Sequence, residues 1–291
     1  MGSAKSLDMH MKIHLWRSIL LLSIVVFIVM MLGQKLGHRD GFVLSVAMAL
    51  SIIGLFLWYG DWRLLPQLKV TELEGQDPWD LRKTLYELSS KARTPMPRIF
   101  VIPSAAPQAL AVGRTLNASK IFVTDGLLQQ LQPQEIKAVL AYNLMCIKSR
   151  TTLSFTIASG LAEALLSLSA TIDWSLAWLF GSKKSSQQPR LRLATWAIAP
   201  IAASAVRLAV GRQPYLLADK EAAVLLGDSK ILAQVLWKLQ SYALTEPFNA
   251  APATSHFYIV NPLTASRFGR YFHAHPEVRE RIKNLVGHYP I

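Results

Sequence analysis

Glu135-Ile136-Lys137-Ala138-Val139-Leu140-Ala141-Tyr142-Asn143-Leu144-Met145-Cys146-Ile147-Lys148 is the stretch on which the reading of this chain turns. Gln134 to Ile147 reads as one helix, with no glycine or proline to break it. Tyr142 and Cys146 stand one turn apart on one face, with Asn143 beside the first of them. Whether those three positions carry chemistry or packing decides what the chain does.

The composition points to a membrane. Hydrophobic residues make up 52% of the 291 and charged residues 17%, with a mean hydropathy of +0.28. Soluble domains carry charge on about 25% of their residues. The net charge of +13 and a pI near 10.0 suit an anionic membrane surface. No basic aromatic stripe or finger motif supports nucleic acid, so a nucleic-acid partner is not expected. The single cysteine, Cys146, leaves no internal disulfide framework.

Ile19 to Leu32 and Phe42 to Trp58 are apolar runs without a charge, near the length of about 17–25 residues that crosses a bilayer. Residues 1–60 therefore read as a transmembrane hairpin, with Trp16, Trp58, Tyr59 and Trp62 as interfacial anchors. A second apolar pair, Leu153 to Phe180 and Leu193 to Val210, occupies residues 151–211 and reads as a second hairpin. It contains Glu163, Asp173, Pro200 and Arg207, and the carboxylates read as interface or helix-boundary residues. The basic N-terminus suggests a multi-pass protein of the bacterial inner membrane with its soluble part in the cytoplasm. Lys35, Arg39, Lys183 and Lys184 would then face outward, which the same rule disfavours.

Residues 61–150 and 212–291 form the soluble remainder. Pro78 to Ala92 has helical spacing at Leu81, Leu85 and Leu88. Pro97 to Ile102 and Lys120 to Thr124 read as strands, Gln108 to Val112 as an apolar extended segment, and a helix follows from Asp125. Ala218 to Leu239 reads as a helix with Gly227 as a break, and the tail ends in His275-Pro276-Glu277 and a short helix. The class is an α+β membrane protein with a small β-sheet.

Several short segments, in order, carry a resemblance: Met96-Pro97-Arg98-Ile99-Phe100-Val101-Ile102, Pro107-Gln108-Ala109-Leu110-Ala111-Val112-Gly113-Arg114, Thr124-Asp125-Gly126-Leu127-Leu128, the helix of Tyr142 and Cys146, Ala218-Asp219, Ile259-Val260-Asn261-Pro262-Leu263 and His273-Ala274-His275-Pro276. On these residues nearly the whole chain resembles the HtpX-type membrane zinc metallopeptidases, relatives of the CAAX prenyl endopeptidases. The resemblance implies a mostly helical zincin-like domain with a small sheet, plus transmembrane helices.

The departures fall on the implied catalytic positions. The family's H-E-x-x-H helix grips zinc with two His and activates water with the Glu. Here the ligand positions hold Tyr142 and Cys146, and the Glu position holds Asn143. Anchoring on Ala218-Asp219 places the third ligand at Tyr215. The expectation is a catalytically inactive pseudoprotease with no cofactor, zinc entering only through non-standard ligands. The alternatives are an active metalloendopeptidase with such ligands, or another activity using Cys146. Arg212 and Asp219 are expected as supporting residues, with Asp219 pairing to Arg212 or Lys220. Gln108, Ala109, Leu110, Ala111 and Val112 resemble the sheet edge that takes a peptide by strand addition. The expected partners are lipid, peptide or membrane-protein clients, or an active protease, in membrane-protein quality control.

Overall fold

The computed structural model describes residues 70–179, 193–246, 248–263 and 274–289, together with most of 16–50, which is helical. Residues 51–69, with the end of the second apolar run of the N-terminal hairpin and the expected anchors Trp58, Tyr59 and Trp62, and residues 180–192, with the basic linker, lie outside the described residues.

The soluble elements follow in chain order. Strand β1 (Thr71–Glu72) precedes helix α1 (Leu81–Ala92), then β2 (Arg98–Ile102), β3 (Ala109–Val112) and β4 (Lys120–Thr124). Helix α2 (Asp125–Gln130) leads into α3 (Pro133–Lys148). The apolar pair is α4 (Thr151–Leu179) and α5 (Leu193–Val210). Helices α6 (Gln213–Leu226) and α7 (Ser229–Thr245), a 3-10 turn (Pro252–Phe257) and α8 (Val278–Val286) complete the chain.

The sheet is small and mixed, in the order β1-β2-β4-β3. Strands β2 and β4 run parallel, and β3 lies antiparallel to β4, with Leu110 opposite Phe122. Strand alternation divides the side chains between two cores. Ile99, Ala109, Ala111, Ile121 and Val123 face α1, α3, α6 and α7. Phe100, Ile102, Leu110, Val112 and Phe122 face Phe155, Ala158 and Ala162 of α4 and Ala202, Ala203 and Val206 of α5. The sheet is thus buried on both faces, which explains why its strands read as continuous apolar runs.

Helix α3 is the central element. Pro133 opens it, and the Gln132 amide donates to Glu135 Oε2 at 2.9 Å, which satisfies one of the donors a helix start leaves over. Lys238 of α7 holds the other oxygen of Glu135. From Ala138 to Ile147 every residue of α3 is buried.

One expected helix is two. Ala218 to Leu239 divides at Gly227, whose φ of +79° ends α6, and Asp228 restarts the chain by accepting from the Lys230 amide at 2.8 Å. The break is therefore a full cap and restart.

Helices α4 and α5 contain windows long and apolar enough to cross a membrane, with mean hydropathies of 1.5 and 1.6. Asp173 is 2% exposed and accepts from the amides of Ala194 and Thr195 and from the Thr195 hydroxyl. It caps the start of α5 from α4, the helix-boundary role expected of it. Several hydroxyls along α4 donate back one turn, as Thr156 does to the Thr152 carbonyl and Thr171 to that of Ser167.

Gly126 permits the turn from β4 into α2. Its amide donates to the Ser104 carbonyl, and a Cβ there would lie 1.7 Å from the Ala105 carbonyl oxygen. Backbone cannot yield by that much. Gly126→Ala is expected to cost about 4 kcal/mol or more, read as loss of folded, detergent-soluble protein or a sharply lowered midpoint of unfolding.

Candidate functional site

Helices α3 and α6 pack side by side and bring together the positions that the sequence singled out. Tyr142 and Cys146 come from α3, Tyr215 and Asp219 from α6, and all four are buried. At their centre stands a residue that the sequence reading missed: Arg281 of α8, with no exposed surface.

Each nitrogen of the Arg281 guanidinium has an acceptor. Its Nε and Nη2 donate to the two oxygens of Asp219 at 2.8 and 2.7 Å, and Nη1 donates to the Ile259 carbonyl at 2.5 Å. The guanidinium carbon lies 5.0 Å from the Tyr142 ring centre and 6.0 Å from that of Tyr215, within cation–π reach. Burial alone would lower the Arg281 pKa, but Asp219 more than offsets it and holds the group charged. The expected pairing of Asp219 with Arg212 or Lys220 is corrected. Arg212 is exposed and pairs with Glu280, and a buried carboxylate takes the one buried cation in reach. The spacing of Val278, Arg281, Ile282 and Leu285 on one face of α8 is the signal that could have found it.

Nothing at the altered positions ionises near neutral pH. Burial, first, and the neighbouring Cys146 raise the Tyr142 phenol well above its ordinary value. Burial raises Tyr215 in the same direction. Burial pushes the Cys146 thiol up to about 12, with a hydrogen bond from Tyr142 opposing it. Asn143 donates from Nδ2 to the Val139 carbonyl at 2.9 Å, one turn back in its own helix. An amide there cannot act as a general base.

Zinc sites bind deprotonated ligands. Two buried phenols, one thiol, an amide held to the Val139 carbonyl and a carboxylate held twice by Arg281 are not the imidazole and free-carboxylate set that such a catalytic site uses. Among the described residues, no group of three or more His, Cys, Asp and Glu is placed to hold a metal.

The segment from Gln108 to Val112 is buried throughout. Gln108 is clamped by Thr124, whose hydroxyl accepts from the Gln108 amide at 2.9 Å and whose amide donates to the Gln108 carbonyl at 3.0 Å. Ala109 to Val112 form the last strand of the sheet. That edge is met by the chain itself: Leu110 bridges Tyr258, and the Ile259 amide donates to the Ala109 carbonyl at 3.0 Å.

Behind Tyr215 lies a ring of aromatic and imidazole groups. The Tyr215 hydroxyl donates to the His256 carbonyl at 2.9 Å, and its ring lies 4.5 Å from that of His275. His256 is fully buried and bonds through Nε2 to the Phe155 carbonyl at 2.8 Å.

Comparison with known proteins places this arrangement. The model for Peptidase family M48 matches residues 76–288. A "Protease HtpX homolog" of Desulfatibacillum aliphaticivorans is 33% identical over 277 residues, covering 94% of this chain and 89% of the relative. A protein of the same description from Pyrococcus furiosus is 32% identical, covering 94% of this chain and 96% of its own length. The crystal structure of S. mikatae Ste24p matches with a TM-score of 0.51 at 19% identity, over 94% of this chain and 67% of that one, which shows a shared fold. These matches correct the cofactor expectation: zinc is the cofactor expected of this family, so the reading of none does not stand.

Two measurements follow from the geometry. Asp219→Ala leaves Arg281 charged, buried and unpaired, at an expected cost of about 3–5 kcal/mol. Replacing both together, as Asp219→Leu with Arg281→Met, is expected to recover most of that loss in denaturant unfolding. His256 supplies a pH signature. Burial lowers its pKa from 6.5 to about 4, with the Phe155 hydrogen bond opposing, so the folded ring is neutral where the unfolded one takes a proton. The contribution is full above about pH 6.5 and is lost as pH falls towards 4, on the order of 3 kcal/mol in all. His256→Gln is expected to flatten that slope between pH 6.5 and 4.

Proposed function

The chain belongs to peptidase family M48, and from that premise we propose that it is a multi-pass membrane protein that engages extended polypeptide in membrane-protein quality control without the family's hydrolytic chemistry. The observation that carries the proposal is the replacement of every implied reactive group inside an intact frame. Tyr142, Asn143, Cys146 and Tyr215 occupy adjoining faces of α3 and α6 in a packed core, and none supplies the carboxylate or imidazole that water activation needs. Binding by strand addition uses backbone groups, so it does not depend on those side chains. The edge strand β3 is the element for it.

Membrane insertion rests on the hairpin of α4 and α5. At 18 residues, α5 is about 27 Å long, close to the hydrocarbon thickness of about 30 Å. Trp174 and Trp196, 64% and 78% exposed, lie near the far end of the hairpin, where interfacial aromatics belong. The soluble part is assigned to the cytoplasmic side of the membrane.

A second reading is favoured by the family match and by the relatives' description as proteases: a metalloendopeptidase with non-standard ligands. One experiment separates the two. Detergent-purified full-length chain is mixed with fluorescein-labelled casein, with and without one equivalent of zinc. The proposal expects the casein to be retained on the protein with no fluorescence release above buffer. Release that a chelator abolishes and that Cys146→Ser weakens would establish the second reading instead.

A further inference from the structure

Residues 256–259 form a short strap with an unusual pattern of support. It leaves a 3-10 turn and runs along the free edge of β3 for a single bridge, Leu110 to Tyr258, with one backbone hydrogen bond from the Ile259 amide to Ala109. Its carbonyls are held by side chains that arrive from three other places. Tyr215 of α6 donates to His256, His275 of the tail donates from Nε2 to Tyr258 at 2.8 Å, and Arg281 of α8 donates to Ile259. The Tyr258 ring is 2% exposed and packs 5.4 Å from Phe248.

A donor set that reads main-chain carbonyls is indifferent to the sequence it holds. The same three donors and the same strand edge suit any extended peptide laid antiparallel to β3. The aromatic slot opposite Leu110 would then supply the selectivity. Tyr215, at the implied third ligand position, sits among these donors.

We propose that the strap is an internal occupant of the β3 edge, latched by Tyr215, His275 and Arg281, and that the edge accepts an extended peptide with an aromatic residue opposite Leu110 only when the strap lifts. This deepens the peptide-binding reading above and rests on it. Because the strap is buried, its lifted state is a minor one, and the affinity for a peptide is reduced by the lifted fraction. Loosening the strap from its own side raises that fraction and the affinity together.

The test uses the full chain in detergent and a synthetic peptide of residues 255–262, Ser-His-Phe-Tyr-Ile-Val-Asn-Pro, beside a version with alanine in place of its tyrosine. Tyr258→Ala loosens the strap from its own side and leaves all three latch donors in place for a peptide. Hydrogen exchange at the Ile259 amide is expected to quicken about tenfold, with exchange in α3 unchanged, and the tyrosine peptide is expected to bind about tenfold tighter than to the parent chain. The alanine peptide is expected to gain nothing. If Tyr258→Ala fails to fold, Tyr258→Leu, which keeps an apolar side chain in the slot without the ring, is expected to act in the same direction. Faster exchange with unchanged peptide affinity overturns the competition while leaving peptide binding intact. Faster exchange with no binding by parent or variant overturns the peptide-binding reading, and this proposal with it.

Discussion

The pairing of Arg281 with Asp219 is the constraint around which the soluble part closes. A guanidinium is costly to bury unless every donor finds an acceptor. Here the two carboxylate oxygens of Asp219 and the Ile259 carbonyl take Nε, Nη2 and Nη1, and the two tyrosine rings cover the charge. Helix α8 supplies the cation, α6 the anion and one ring, α3 the other ring, and the strap the last acceptor. Four parts of the chain, far apart in sequence, are therefore fixed by one side chain. The C-terminal helix belongs to the core for this reason, although only Arg281 and Ile282 of its nine residues are fully buried.

The same cluster shows what the central helix contributes to the fold. Helix α3 shares one core with the sheet, α1, α6 and α7, and Ile136, Val139, Leu140, Leu144 and Ile147 contribute to it alongside Tyr142 and Cys146. Tyr142 and Tyr215 fill volume, keep their protons and give Arg281 a covering of aromatic carbon. Family membership is carried by packing, and chemistry by a handful of groups that packing does not require. The two can part company, which is why fold alone is a weak guide to activity.

Local pattern made much of this legible. The strands at 98–102 and 120–124 and the helix over 133–148 follow from apolar alternation and from an unbroken run between Pro133 and Ser149. What pattern could not supply was partnership across the chain. Asp219 has Lys220 beside it in sequence and Arg212 two turns before, yet its partner is 62 residues away, because burial rather than proximity selects the cation. Asp173 showed itself as a charge in an apolar run, but the amides it caps lie 21 and 22 residues on. The β3 edge was legible as an apolar strand, whereas its cover by Tyr258 depends on how the tail returns. Gly227 was legible as a break, but only its positive φ and the Asp228 cap make it a boundary between two helices.

The apolar hairpin is also a wall of the domain rather than an appendage. Phe100, Leu110 and Phe122 lie on the outer face of the sheet. Phe155, Ala158 and Ala162, in the first turns of α4, supply the cover, with Ala202, Ala203 and Val206 of α5 behind. Helix α4 thus spends its first turns as a core helix and its remainder among exposed apolar side chains such as Ile172 and Trp174. Its root is also bonded to the strap, since the Phe155 carbonyl takes the His256 ring and Phe155 packs edge-on to Phe257 at 5.8 Å. The strap, the sheet edge and the base of the hairpin therefore share one buried cluster. A shift of α4 bears on the β3 edge, because His256 and Phe257, which α4 holds, run directly into Tyr258 and Ile259, which cover that edge.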